Sequence, residues 1–265
     1  MTLADTLRHA PTPAARTAAP PTDAPPLARP RRRWGVALKA LNRLLNDKED
    51  TGQVFEIMGA LNGDSTARNY RRLVEETPNG GRLAYEHVEL EPKLMDDAWL
   101  DSFADGTVGA AYRHFIRSEN LSADGLVEIS RQRRGQVDER HPHAWFGRRM
   151  RDSHDIWHIL SGYHRDATGE ACLVAFSYGQ TRALGWAVLA IGAALRPRVG
   201  GNGPYMKAIW QGYQRGKAAA WLPGQDYEAL MAEPLEAART RLGLTPPTFY
   251  DAIPLDKRNP TSGGV

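Results

Sequence analysis

Apolar positions recur three and four residues apart over most of the chain after Trp34, which is the spacing of one helix face. Val36, Leu38, Leu41, Leu44 and Leu45 mark a first helix, and TGQVFEIMGAL marks a second that the turn pair Asn62-Gly63 closes. Asp64, Ser65 and Thr66 offer caps for a third helix running through Tyr70, Leu73 and Val74 until Pro78-Asn79-Gly80-Gly81 stops it. Residues 82–95 are less regular. MDDAWLDSF then reads as a short helix ended by Asp105-Gly106, and TVGAAYRHFIRSENL as the next, started from a Thr cap. Residues 122–141 show no sustained period and read as an exposed connection or a short extended piece. Past His143 a long helical pattern runs through Leu160, and Gly162 and Gly169 bracket a turn.

Apart from Arg182, the stretch from Ala171 to Leu195 carries no charge, which raises the possibility of a membrane span. Ser177, Gln180, Thr181 and Arg182 sit in its middle, and an arginine at a span centre costs about 2.5 to 3.5 kcal/mol even on the lenient insertion scale. Its small residues, Gly185, Ala187, Ala190, Gly192, Ala193 and Ala194, suit close helix contacts instead, so the stretch is expected to form a buried central helix. PYMKAIWQGYQRGKAAAWL and DYEALMAEPLEAARTRLGL supply two more helical patterns, and no strand alternation or internal repeat interrupts the series. The expected fold is all-α: one helical domain over 34–250, a disordered Pro/Ala/Arg-rich tail over 1–33, and a flexible C-terminal tail over 251–265.

Composition sharpens this outline. With 42% apolar residues among 265, the chain can bury a full core without disulfide staples, and its one cysteine, Cys172, excludes an intramolecular disulfide and fits a reducing compartment as a buried core residue. Residues 1–33 hold seven of the eighteen prolines and no Val, Ile, Phe, Tyr or Trp, too little apolar surface to offset the entropy of ordering. They lack the apolar core of a secretory signal, although six Arg and few acids give a faint likeness to an organelle transit peptide. Those six Arg against Asp5 and Asp23 give the segment +4, so the net +3 of the chain leaves the other 232 residues at −1. A near-neutral body has no footprint for a phosphate backbone, and nucleic acid is excluded as a partner. The cluster RPRRRW, Arg29 to Trp34, offers cationic contact with an anionic membrane surface, although a charge run is more often simply solvated.

The chemistry concentrates between residues 154 and 170. His154 and His158 project from one helix face about 40° apart, and Asp155 stands on the adjoining edge. Glu170 follows just beyond the turn SGYHRDATG, where the chain doubles back, so a shell of two imidazoles and two carboxylates can be drawn. That mixed nitrogen and oxygen set suits zinc, manganese, cobalt or iron(II) better than magnesium. A His pair at this spacing is weak evidence by itself, because surface helices carry such pairs without metal. The set with both acids, in a region otherwise rich in Trp, Ile, Leu and Ala, is stronger, because buried charge needs a partner. His114, His141, His143 and His164 lie in less organised contexts and read as structural or solvated.

At these residues the chain resembles the family of the coenzyme Q biosynthesis protein Coq-four. The family signature is HDxxH, eleven residues, then Glu, and here it stands as HDIWH, ILSGYHRDATG and Glu170. RMRDSHDIWH, LMDDAWLDSFADGTVGAAYRHFI and PLEAARTRLGLTPP also look like family segments in the family's order, so the likeness covers about residues 50–250. The resemblance implies a helical fold and a zinc-type site of His154, Asp155, His158 and Glu170. It further implies a task in ubiquinone synthesis on a prenylated aromatic lipid intermediate: removal of the C1 carboxylate of a 4-hydroxy-polyprenylbenzoate, with hydroxylation at the same carbon attributed to some members. An organising role among other ubiquinone biosynthesis proteins at a membrane surface is the alternative, with the metal structural. Attachment would then be peripheral, and a homo-oligomer is expected. A bacterial source would place the protein in the cytoplasm or on the inner membrane, and a eukaryotic one on the matrix side of the mitochondrion.

For the enzyme reading, a four-ligand shell has to expand or release a carboxylate, Glu170 or Asp155, to admit substrate. Arg149 and Arg151, just before the motif, are the candidates to pair with the substrate carboxylate, and Trp186, Trp210, Trp221 and the small residues of 183–194 are candidates to line a prenyl channel, although the same residues equally make a packed core. His154-Asp155 also matches the doublet of HD-type phosphohydrolases, with His114 and Asp166 as nominal partners; the Glu twelve residues on from His158 fits that class poorly.

Overall fold

The computed structural model describes residues 31–46, 52–118, 141–196 and 201–259. Among them every regular element is helical: α1 (Trp34–Asn46), α2 (Gly52–Leu61), α3 (Ser65–Glu76), α4 (Gly80–Glu86), α5 (Glu91–Leu94), α6 (Asp97–Asp101), α7 (Val108–Ser118), α8 (Pro142–Asp152), α9 (His154–Ser161), α10 (Ala167–Thr181), α11 (Leu184–Leu195), α12 (Gly203–Ala218), α13 (Tyr227–Leu230), α14 (Leu235–Arg241) and α15 (Thr248–Asp251). Most of the expected tail at 1–33, most of the connection at 122–141 and the last residues from 260 onward lie outside the described residues. Thr107 starts α7 as expected, its hydroxyl accepting from the Ala110 amide at 3.2 Å. Asp64 does not cap α3 with its side chain but pairs with Arg68 at 3.4 Å.

The core is built around α10, whose Cys172, Leu173, Ala175 and Phe176 are buried on the side of α9, α12 and the C-terminal helices. Helix α12 lies against it at backbone contact. A Cβ on Gly212 would sit 2.5 Å from the Cys172 carbonyl oxygen, one on Gly216 2.2 Å from that of Phe176, and one on Gly179 2.7 Å from the Lys217 nitrogen. Glycine on both helices is therefore what permits the crossing. The buried polar residues that argued against a membrane span act here as ties: the Gln180 amide donates to the Gly216 and Ala220 carbonyls, and its oxygen accepts from the Leu222 nitrogen at 2.7 Å.

The uncharged run from Ala171 to Leu195 is two helices rather than the single one expected. Arg182 takes the left-handed conformation (φ 54°) as the C-cap of α10, its amide donating to the Tyr178 carbonyl, while the Thr181 hydroxyl accepts from the Ala183 amide. The chain then turns to pack α11 on α1 and α2, with Gly185 against Met58 and Gly192 against Leu41. No helix among the described residues is long and apolar enough to cross a membrane. The pattern from His143 to Leu160 is likewise broken, at the fully buried Ser153 between α8 and α9. Within the expected tail at 251–265, Ile253 and Arg258 are buried, and the Thr168 hydroxyl donates to the Arg258 carbonyl at 2.7 Å.

Candidate metal centre

The site sits where α9 turns into α10. Gly162, left-handed at φ 77°, ends α9 with its amide on the His158 carbonyl, and Asp166 starts α10 by accepting from the Thr168 and Gly169 amides at 3.1 and 2.8 Å. The turn between them is tight: a Cβ on Gly169 would lie 1.9 Å from the His164 carbonyl oxygen. This geometry places Glu170 in the first turn of α10, facing the first and second turns of α9. His154, His158 and Glu170 each offer one ligand atom, all within 4.8 Å of one another.

His158 is buried, stacked on Phe115 with ring centroids 5.9 Å apart, and its Nδ1 lies 2.9 Å from the Tyr163 carbonyl oxygen. A carbonyl only accepts, so Nδ1 carries the hydrogen and the neutral ring presents a lone pair at Nε2. Among the described residues that buried Nε2 has no hydrogen-bond partner, although it stands 3.3 Å from Glu170 Oε1. Two acceptors held face to face in this way require either a second proton on the ring or a cation between them. The other imidazole repeats the arrangement more loosely, with His154 Nε2 at 3.7 Å from Glu170 Oε2. An orphaned imidazole nitrogen, a second imidazole and a carboxylate are a donor set that fits a zinc-type divalent ion, with the Tyr163 carbonyl as the outer partner that fixes the His158 tautomer.

Electrostatics of the metal-free site follow from the same contacts. Burial lowers the His154 pKa, but the hydrogen bond and charge of Glu170 outweigh it and leave the imidazole above its ordinary 6.5. Burial raises the Glu170 carboxyl, but both imidazoles outweigh it and hold the group far below its ordinary 4.5. The sign is then fixed by linkage. A raised histidine stabilises the fold below its unfolded pKa and loses that contribution as pH rises through the folded value; a depressed glutamate contributes above its unfolded pKa. In the metal-free protein the pair therefore supports the fold most between about pH 4.5 and 6.5. A metal ligand must shed its proton, so with a divalent ion bound the response would run in the opposite sense. Thermal melts against a Glu170→Gln reference are expected to show this contribution rising from pH 8 to pH 6 without metal and falling over the same range with zinc.

Not every residue singled out in the sequence arrives here. Asp155 is half-buried but is not a member of the donor cluster; its charge acts with burial to push the Tyr112 hydroxyl on α7 up. Arg149 is buried between Trp145 and Tyr227, its Nη2 donating to the Gln225 carbonyl at 3.2 Å and lying 3.5 Å from Glu228. Arg151 pairs with Glu91 at 2.9 Å and Asp152 at 2.6 Å. Arg151 is thus held by internal ion pairs, and Arg149 is buried with only its Nη2 in hydrogen-bonding contact among the described residues. The guanidinium beside the cluster is Arg165, 3.9 Å from Glu170, a turn residue without a periodic signal to mark it. Asp166, the nominal phosphohydrolase partner, is occupied as the α10 cap and accepts from the Tyr250 hydroxyl.

A cleft of about 710 Å³ adjoins the cluster through His158 and Arg165, with His114, Phe115, Arg215 and Arg239 elsewhere on its walls. Trp186, Trp210 and Trp221 do not line it: Trp186 packs with α1 and α2, Trp210 is exposed, and Trp221 lies under Arg72 with its Nε1 on the Gln180 carbonyl.

The fold and site together define a helical protein with a two-histidine, one-glutamate centre at a helix-turn-helix corner, beside a cleft. Residues 28–248 match the family described as coenzyme Q (ubiquinone) biosynthesis protein Coq4, and the chain belongs to that family. It is 26% identical over 195 residues to the mitochondrial ubiquinone biosynthesis protein COQ4 homolog of Rattus norvegicus, covering 72% of this chain and 70% of that one. The human homolog gives 26% over 198 residues, covering 73% and 71%. The crystal structure of a Nostoc punctiforme protein assigned to ubiquinone biosynthesis superposes with a TM-score of 0.59 at 22% identity, over 81% of this chain and 99% of that one, a likeness of fold.

Proposed function

We propose that this ubiquinone biosynthesis protein removes the C1 carboxylate of a 4-hydroxy-polyprenylbenzoate, with a divalent metal, zinc foremost, held by His154, His158 and Glu170. The observation that carries the proposal is the donor count, which is three among the described residues. Three protein ligands are the number found in catalytic zinc sites, which keep a position for substrate, whereas structural sites close with four. With Asp155 outside the cluster, no carboxylate has to swing away. When bound, the metal supplies Lewis acidity toward a carboxylate or phenolic oxygen.

The chain's own residues do the rest. Arg165, next to Glu170 and on the cleft wall, is placed to pair with the substrate carboxylate in the role expected of Arg149 and Arg151. Phe115, stacked on His158, offers a ring face to an aromatic head group. As carbon dioxide leaves, its bonding electrons stay at C1, which takes a proton; His114, exposed on the cleft wall, is the side chain suited to deliver it.

A second reading, a membrane-surface organiser with a structural metal, is favoured by one feature. Exposed Arg31, Arg32 and Arg33 lead into α1, which shows Trp34 and Leu38 to solvent, and α11 packed on α1 shows Ile191 (57% exposed) and Leu195 (63%). Cationic and apolar groups together suit an anionic lipid surface.

One assay separates the two. Zinc-loaded protein is incubated with a prenylated 4-hydroxybenzoate in anionic vesicles, under air and under nitrogen with a chelated control, and carboxylate loss is followed by mass spectrometry. Metal-dependent product is the expected outcome, and oxygen-dependent product would make the reaction oxidative. A folded, zinc-loaded protein that floats with the vesicles and makes no product under either gas would establish the organiser.

A further inference from the structure

The first turn of α10, which carries Glu170, is held from the far end of the chain. Its leading amides need partners outside the helix. Asp166 supplies one acceptor for Thr168 and Gly169, but the Ala167 amide donates to the Asn259 side-chain oxygen at 2.8 Å, and the Thr168 amide also reaches the Arg258 carbonyl at 3.0 Å. Tyr250 ties the preceding turn. Its buried hydroxyl donates to the other Asp166 oxygen and accepts from the His164 amide at 3.2 Å, and its ring packs edge-on against Tyr163 at 5.4 Å. Arg258 closes the arrangement by laying its guanidinium 4.2 Å over the Tyr250 ring, while its Nε donates to the Ile253 carbonyl.

Each of these contacts is one covalent step or one short turn from a proposed ligand. Asp166 starts the helix whose first turn bears Glu170, and Tyr163 supplies the carbonyl that fixes the His158 tautomer. We infer that residues 248–259 form a positioning strap for the metal centre, with Tyr250 as the positioning residue that sets Glu170 through Asp166 and His158 through Tyr163. The inference rests on the proposed metal-holding role of His154, His158 and Glu170. Outer-shell partners of this kind change metal affinity by about 10- to 100-fold when removed.

The test is Tyr250→Phe in the full chain, which keeps the ring under Arg258 and against Tyr163 and removes only the hydroxyl. Zinc affinity is measured by competition with a chromophoric chelator, and the metal-free thermal midpoint is recorded beside it. Thr181→Val, which deletes a buried hydroxyl bond at the other end of α10, serves as the stability control. The expected result is zinc binding about 10-fold or more weaker in Tyr250→Phe and unchanged in Thr181→Val at a comparable loss of midpoint. Equal affinity in Tyr250→Phe and the wild type, or equal weakening in the control, overturns the strap. Asn259→Ala, at an exposed position, gives the same reading by a smaller loss if Tyr250→Phe does not fold. Should the wild type and His158→Ala bind zinc alike, it is the metal centre itself that fails, whatever Tyr250 does.

Discussion

Replacing His158 with alanine is expected to weaken zinc binding by more than about 100-fold, beyond the upper end of what outer-shell changes produce. Three features of the ring set this size. It is buried, its tautomer is fixed by the Tyr163 carbonyl, and its Nε2 has no hydrogen-bond partner among the described residues. A second consequence appears without metal: the Tyr163 carbonyl loses its imidazole donor inside the core, a loss of about 1 to 3 kcal/mol. Equilibrium dialysis with zinc and a thermal melt of the metal-free protein measure the two effects separately. Asp155→Ala is the informative companion, because a four-ligand shell predicts the same collapse of affinity, whereas the three-residue cluster predicts retained stoichiometry. Wild-type zinc content in His158→Ala would remove the centre from this corner altogether.

Asp155 shows how far a linear motif can be read. Neighbouring residues on a helix diverge by about 100°, so Asp155 stands at the edge of the face that His154 and His158 share, outside the His154, His158 and Glu170 group yet near enough for its charge to act on the His154 imidazole. The histidine spacing was legible because i and i+4 share a face, and Glu170 because two glycines announced the turn. The helices of the body were legible for the same periodic reason, and Cys172 as core because of its apolar neighbours. Arg165 and Tyr250 were not: one lies in a five-residue turn and the other in a four-residue helix, both too short to carry a period. The burial of Arg149 was not legible, because its position before the motif says nothing about burial and only the fold brings Glu228 and Tyr227 to it. The break at Arg182 was hidden as well, since a non-glycine residue holds the left-handed conformation there and no turn-forming pair marks it. Contacts such as Thr168 with Arg258 span 90 residues and leave no trace in a single sequence.

The largest effect on the fold is expected at Gly216. Alanine there places a methyl 2.2 Å from the Phe176 carbonyl oxygen, and because the obstacle is backbone, no side chain can rotate out of the way. Helices α10 and α12 must move apart, which opens voids among Cys172, Phe176, Ala208 and Ile209 and strains the Gln180 bond to the Gly216 carbonyl. Overpacking of this kind costs about 3 kcal/mol or more. For a chain of this size that corresponds to a fall in thermal midpoint of about 6 to 12 °C. Gly147→Ala supplies the opposite sign: the residue is exposed in α8, a Cβ there meets nothing within 4 Å, and relief of unfolded-state entropy is worth about 0.4 to 1 kcal/mol. Calorimetric melts of the two variants should therefore move to either side of the wild type. Equal midpoints for Gly216→Ala and the wild type would mean that α10 and α12 do not cross at the close backbone contact between Gly216 and Phe176.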